Sequence, residues 1–270
     1  MAKVVKCKTL DGQSIEFVED VIGSGAMKEV HFAPDKSYVV AFYKEKQDFQ
    51  ARDRLQMITG RYREALFSQV GGDYWKTLFC WPTAALEHEG KLGLVAPTYP
   101  SHFFFEHGSK NNDVLGIKGK EKEGKWFAAS SLRNRFMDPR ELGDWLNHIR
   151  MCVLLSRAVK KMHMMGLAHS DLSYKNVLVD PSKGFACVID VDGLVVPGKY
   201  PPDVVGTPDF IAPEVVMTNH LAKGDPNRKL PRRETDQHAL AVLIYMYLLY
   251  RHPLRGGKVH DVDDEQRDES

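Results

Sequence analysis

The octapeptide HSDLSYKN, residues 169–176, holds two side chains of the types that phosphoryl transfer to a hydroxyl requires. Asp171 is a carboxylate able to orient a hydroxyl and accept its proton. Asn176 offers an amide oxygen to the magnesium ion that offsets the charge of the phosphates. The other reading of the same octapeptide is a polar turn closed by an Asx cap. A second stretch, FACVIDVDGL at 185–194, is an apolar strand that delivers Asp190, Val191, Asp192 and Gly193 at its end. A carboxylate there suits magnesium, because hard cations take oxygen ligands.

The elements around these residues must hold them in place. Met151, Leu154, Leu155, Ala158, Met162 and Met165 form an apolar stripe of helical period that stops at Gly166, a helix C-cap. The polar turn follows, and then the short apolar run VLV, so Asp171 and Asn176 lie on a loop between two packed elements. Further on comes GTPDFIAPE, 206–214. With these three stretches in order, the chain resembles the protein kinase superfamily. HSDLSYKN is similar to its catalytic loop, DVD to its DFG position, and GTPDFIAPE to the segment ending in APE. The separations agree as well, with fourteen residues from Asn176 to Asp190 and twenty-four more to Glu214.

The resemblance implies an α+β, bilobal, protein-kinase-like fold with a β-rich N-lobe, 1–97, and a mainly helical C-lobe, 98–270. The residues agree with that division. VVKCKTL and SIEFVEDVI flank an Asp-Gly turn and FCWPTAALEH and KLGLVAP flank Glu89-Gly90, which predicts two hairpins, with KEVHF and SYVVAFYK as strands between them. Leu55, Ile58, Tyr62 and Leu66 predict a helix over about 48–69. Residues 101–140, polar and glycine-rich, read as a long surface insertion.

On the same resemblance, GSGAMKEV at 23–30 is the glycine loop over ATP, with Gly23, Ser24 and Gly25 at the phosphates and Val30 on the adenine. Lys28 stands where the third glycine is expected, which stiffens the loop or places a cation near the phosphates. Lys44, ending VAFYK, is the lysine of the third strand, with Lys46 as its rival, and Glu64 is its ion-pair partner. The hinge LVAPTYP offers the backbone of Thr98 or Tyr99 to the adenine edge, since Pro97 cannot donate. Asn176 and Asp190 hold Mg2+, Asp171 positions the substrate hydroxyl, and Asp236 starts the buried central helix of the large lobe.

Several positions depart from the pattern. Ser170 replaces the usual Arg before the catalytic Asp, which predicts activity independent of an activation-loop phosphate. Ser173 replaces the usual Lys, and Lys175 is placed to reach the same space. Thr207 resembles the serine/threonine class. Val191 and Asp192 fill out DVD in place of DFG, and Asp192 adds a carboxylate near the metal. Residues 215–233 are a longer insertion than the family usually has, suited to recruiting substrate. The short stretch after the central helix reads either as a minimal bacterial-type lobe or as a truncated chain. These variations are similar to bacterial kinases of tellurite-resistance phosphorylation systems, which implies a von Willebrand A-domain protein and a PPM-type phosphatase as partners.

Composition narrows the classes further. The 270 residues carry 37 basic and 36 acidic side chains, a formal net charge of +1, which argues against nucleic-acid or membrane attraction. Cys7, Cys80, Cys152 and Cys187 lie far apart without a CxxC pair, as in a cytoplasmic protein with reduced thiols. The longest apolar run, ALAVLIYMYLLY at 239–250, is too short to span a bilayer. The leading expectation is an ATP- and magnesium-dependent Ser/Thr protein kinase. The alternative is a pseudokinase that binds nucleotide or docks partners. A small-molecule kinase of the aminoglycoside or choline type shares HxDxxxxN but lacks a GTPDFIAPE segment.

Overall fold

The computed structural model describes residues 3–196, 199–202, 206–222 and 224–254. Alternating side chains make the first part of the chain a set of antiparallel ribbons. β1 (Val4–Lys8) pairs with β2 (Ser14–Val18) across a turn in which Gly12 takes φ +89°. β3 (Val21–Ser24), β4 (Lys28–Phe32), β5 (Tyr38–Tyr43), β6 (Ala84–His88) and β7 (Lys91–Pro97) form a five-stranded sheet in the order β3-β4-β5-β7-β6. Glu89 and Gly90 both take positive φ, as a two-residue hairpin turn of matching twist demands. Period two then divides the sheet. Val40 and Phe42 pack outward with Phe17 of the first hairpin, while Ala41 and Tyr43 pack inward with Leu55, Leu94 and Ala96.

The helix predicted over about 48–69 forms as α1 (Phe49–Met57), one wide turn at Ile58–Tyr62, and α2 (Arg63–Phe67). Asp48 caps it by accepting from the Ala51 N–H at 2.8 Å. Leu55, Ile58 and Leu66 are buried and Tyr62 half-buried, so the apolar stripe faces the core. α3 (Gly72–Lys76) follows.

The segment expected as a surface insertion is threaded into the core instead. Phe103, Phe105, Ile117, Phe127 and Met137 are all 2% exposed or less. Its polar composition masks these widely spaced anchors, each of which removes a large apolar area from water. Its short elements are α4 (Lys110–Asp113), a turn whose last three residues take positive φ, and α5 (Ser130–Phe136). Lys122 Nζ lies 2.9 Å from Glu141 Oε2 and 3.0 Å from Asp180 Oδ1, and none of the three side chains is more than 4% exposed. Glu141 Oε1 also accepts from the N–H groups of His107 and Gly108. A buried cation between two buried carboxylates thus ties this segment to the strand behind the catalytic loop.

The remaining elements are α6 (Trp145–Met164), β8 (Val177–Asp180), β9 (Phe185–Val188), α7 (Pro213–Val216) and α8 (Arg233–Leu249). α6 ends as its stripe predicts. Gly166 takes φ +78°, and the Leu167 N–H reaches back to the Met162 carbonyl at 3.0 Å. Met151, Leu155, Ala158 and Met162 share one core with Ala239, Val242, Leu243 and Met246 of α8. That core also takes in Ile58, Leu66, Leu78, Phe79 and Trp81, so apolar packing runs across the boundary expected at Pro97. Among the described residues no helix is long and apolar enough to cross a membrane.

Candidate active site

β8 and β9 form a two-stranded ribbon in register Val177↔Val188, with the loop bearing Asp171 and Asn176 before one strand and Asp190 after the other. The Ile189 N–H donates to the Asn176 carbonyl at 3.0 Å, which brings Asp190 alongside Asn176. Asp236, at the start of α8, holds the loop from below. It is 1% exposed and accepts from the His169 N–H at 2.7 Å, the Ser170 N–H at 3.1 Å and His163 Nε2 at 3.0 Å. Ser170 takes φ +68°, a strained backbone for a serine, and these two N–H bonds hold it there. His169 Nε2 lies 2.9 Å from the Ile189 carbonyl, which joins the loop to the strand end that carries Asp190.

Each carboxylate oxygen of Asp171 has a donor. Thr207 Oγ1 donates to Oδ1 at 2.8 Å, and Asn176 Nδ2 donates to Oδ2 at 3.0 Å and to the Asp171 carbonyl at 2.7 Å. Both acceptors fix which end of the Asn176 amide is nitrogen, and its oxygen is left to offer to a cation. Asp190 has left-handed backbone angles and a side chain 49% exposed. An amide oxygen and a half-exposed carboxylate are the ligand types that a hard divalent cation takes together with phosphate oxygens. Ser173 is fully buried, with its Oγ 3.3 Å from Thr207 Oγ1. Lys175 is exposed, and its backbone N–H donates to Ser173 Oγ at 3.2 Å.

The wall contributed by the sheet differs from expectation. Gly23, Ser24 and Gly25 lead into a tight exposed turn closed by Gly25 N–H to the Lys28 carbonyl at 3.0 Å. Val30 packs on the inner face beside Ala41, its cross-strand partner. Lys44 does not enter the cleft. It is exposed, and its Nζ is spent on the Gly25 carbonyl at 2.6 Å. Glu64 is exposed too, and the two form no ion pair among the described residues. The reason is parity. Ala41 and Tyr43 point inward, so the next residue, Lys44, belongs to the other side, and Lys46 lies beyond the strand, where alternation no longer applies. The charged residue that helix α1 buries is Arg54, a cation, whose Nη1 donates to the Pro201 carbonyl at 3.3 Å. At the hinge, the Thr98 N–H lies a long 3.5 Å from the Ser37 carbonyl, and Tyr99 packs with Phe103, Leu178 and Cys187.

Lys28 occupies the cleft instead. It lies directly across from Tyr43 in the β4–β5 register. Its Nζ is 2.7 Å from Asp190 Oδ1 and 2.8 Å from both oxygens of Asp192, and the Tyr43 hydroxyl donates to Asp192 Oδ2. Burial works against the Lys28 charge, but Asp192 and Asp190 outweigh it and raise its pKa above the ordinary lysine value. Burial likewise opposes the Asp192 charge, and Lys28 overcomes it and holds the carboxyl below its usual range. Burial and then the Asp192 charge push the Tyr43 phenol up, keeping it a neutral donor. In the sequence, Lys28 reads as stiffening the loop or as a cation near the phosphates, and Asp192 as a carboxylate near the metal, each on its own. The signal that links them is strand pairing, since Lys28 and Tyr43 face the same side.

A family model described as "Protein kinase domain" matches residues 122–269. The chain is 35% identical over 96 residues to serine/threonine-protein kinase PSK1 of Saccharomyces cerevisiae, an alignment covering 35% of this chain and 6% of the relative. It is 32% identical over 153 residues to calcium-dependent protein kinase 11 of Arabidopsis thaliana, covering 53% of this chain and 28% of that one. The chain thus spans a minor part of the curated relatives it matches. Among solved structures, the Toxoplasma gondii specific rhoptry antigen kinase domain superposes with a TM-score of 0.57 at 14% identity, over 95% of this chain and 72% of the other. Rad53 1–466 in complex with AMP-PNP superposes with a TM-score of 0.50 at 16% identity, over 90% and 50%. These likenesses show the bilobal α+β fold of kinases.

Proposed function

The chain belongs to the protein kinase family, and we propose that it is an active ATP- and magnesium-dependent kinase that phosphorylates serine or threonine hydroxyls of proteins. The observation that carries this reading is Asp171, whose carboxylate is held at both oxygens by Thr207 and Asn176 while Asn176 lies against the strand end bearing Asp190. A scaffold has no need of that arrangement. Thr207 on Asp171 supports serine/threonine specificity, and the names of the matched relatives support it too.

ATP supplies the γ-phosphoryl group, and magnesium offsets the charge on its oxygens. Asn176 and Asp190 are the residues to hold the ion. Asp171 orients the substrate hydroxyl and takes its proton as the new P–O bond forms and the bond to the departing diphosphate breaks. Thr207 and Asn176 keep the Asp171 oxygens from turning away. The backbone of Gly23, Ser24 and Gly25 covers the phosphates, Val30 packs on the adenine, and Thr98 or Tyr99 meets the adenine edge. As partners, a von Willebrand A-domain protein and a PPM-type phosphatase are proposed on the sequence resemblance alone, as is a cytoplasmic setting.

The test incubates the protein with labelled ATP, magnesium and a generic protein substrate beside Asp171→Ala. Transfer in the parent and its loss in the variant support the enzyme. Tight ATP binding without transfer supports a pseudokinase.

A further inference from the structure

We propose that Lys28, not Lys44, is the catalytic lysine that contacts the ATP phosphates, and that Asp192, not a helix glutamate, is its ion-pair partner. The inference rests on the kinase reading above and names the residues that complete its site. Two departures that are separately odd explain each other. The third glycine of the loop is a lysine, and the last residue of the DVD tripeptide is an acid; the side chains of Lys28 and Asp192 meet at 2.8 Å.

Three further observations support the exchange. Tyr43 stands at the inward position at the end of β5, and a phenol there cannot supply a positive charge. Lys28 is its cross-strand neighbour, so a lysine one strand away reaches the same space. Its ammonium passes 5.5 Å from the Tyr43 ring centroid on the way to Asp190, the residue assigned to the metal. On the acidic side, helix α1 buries Arg54, so it cannot act as the lysine's counter-ion, and Glu64 lies exposed. Asp192 is 8% exposed at its side chain and is held from two sides, by Lys28 and by the Tyr43 hydroxyl. Asp192 and Tyr43 are therefore positioning residues. When nucleotide enters, Lys28 keeps Asp192 and gives up Asp190 to the cation, which leaves an oriented ammonium for the phosphate oxygens.

The experiment compares the full chain with Lys28→Met, Lys28→Arg, Lys44→Met, Asp192→Asn and Glu64→Gln, measuring the Kd for ATP with magnesium, KM and kcat, and the magnesium concentration at half-maximal rate. Lys28→Met is expected to lower kcat/KM for ATP by roughly 100-fold or more, and Lys44→Met and Glu64→Gln to change it less than about threefold. Lys28→Arg keeps the charge, so it retains nucleotide binding while losing most of kcat, and it reads the same position if Lys28→Met does not fold. Asp192→Asn is expected to raise KM for ATP about tenfold with the magnesium requirement unchanged. A raised magnesium requirement makes Asp192 a metal ligand and overturns the pairing. An active parent with Lys44→Met inactive and Lys28→Met normal overturns this inference and leaves the kinase reading standing. A parent that binds ATP without transfer overturns only that reading, and the Kd values still report on Lys28. A parent that neither binds nor transfers overturns both.

Discussion

The two walls of the cleft reach their function by different routes. The helical side presents Asp171, Asn176 and Asp190 from a loop and a strand end that follow one another closely in the chain, clamped by Asp236 from below. The sheet side assembles its charge from Lys28 and Tyr43, brought together by strand register, and closes it with Asp192, more than 160 residues away from Lys28. Chemistry carried by one short segment leaves Asp171, Asn176 and Asp190 at the family's positions even where Ser170 and Ser173 depart from it. Chemistry carried by cross-strand neighbours can move from one strand to the next, because all that matters is which atom reaches the common point.

Four measurements break or sharpen that contrast. The largest effect belongs to the helical wall: Asp171→Ala lowers kcat by about 10³- to 10⁴-fold while the Kd for ATP moves little. Equal losses in both would mean that the carboxylate serves binding, and the preformed-loop picture fails. Next is the buried triad behind that loop. Lys122→Met strands Glu141 and Asp180 without their cation and costs about 3–5 kcal/mol in urea unfolding. A loss under about 1 kcal/mol would show that water already reaches the triad.

A smaller effect is expected at Thr207, where alanine removes one of two donors to Asp171. Its kcat falls about tenfold, and serine restores most of it. No rescue by serine would assign the loss to packing. The smallest effect is on stability against pH. Asp113 is held at about 2, below its ordinary 3.8, chiefly by the Lys118 N–H and also by those of Ser109 and Ile117. The unfolded chain binds that proton more readily, so the contribution is complete above about pH 4 and drains away as pH falls toward 2. Asp113→Asn should therefore lie below the parent in urea midpoint at pH 7, with the gap narrowing from pH 5 to pH 3. A gap that stays constant would remove the carboxylate charge from the account.

Tyr200 donates to Asp53, Lys199 Nζ lies 3.4 Å from Asp53 Oδ2, and Arg54 Nη1 donates to the Pro201 carbonyl, so residues 199–201 are tied to helix α1.

Residue types and their local spacing determined a good deal. The Met and Leu stripe ending at Gly166, the Glu89-Gly90 hairpin, the helix marked by Leu55, Ile58 and Leu66, and the loop holding Asp171 and Asn176 could all be read from neighbours within a few positions, because helical and strand periods are set by the backbone itself. Tertiary structure decided three things that no short window contains. It showed that Phe103, Phe105 and Ile117 anchor a polar segment in the core. It turned Lys44 and Glu64 outward. It brought Lys28 to Asp190 and Asp192. In each case the outcome depends on which faces pack and which strands pair, and those are properties of the folded chain as a whole.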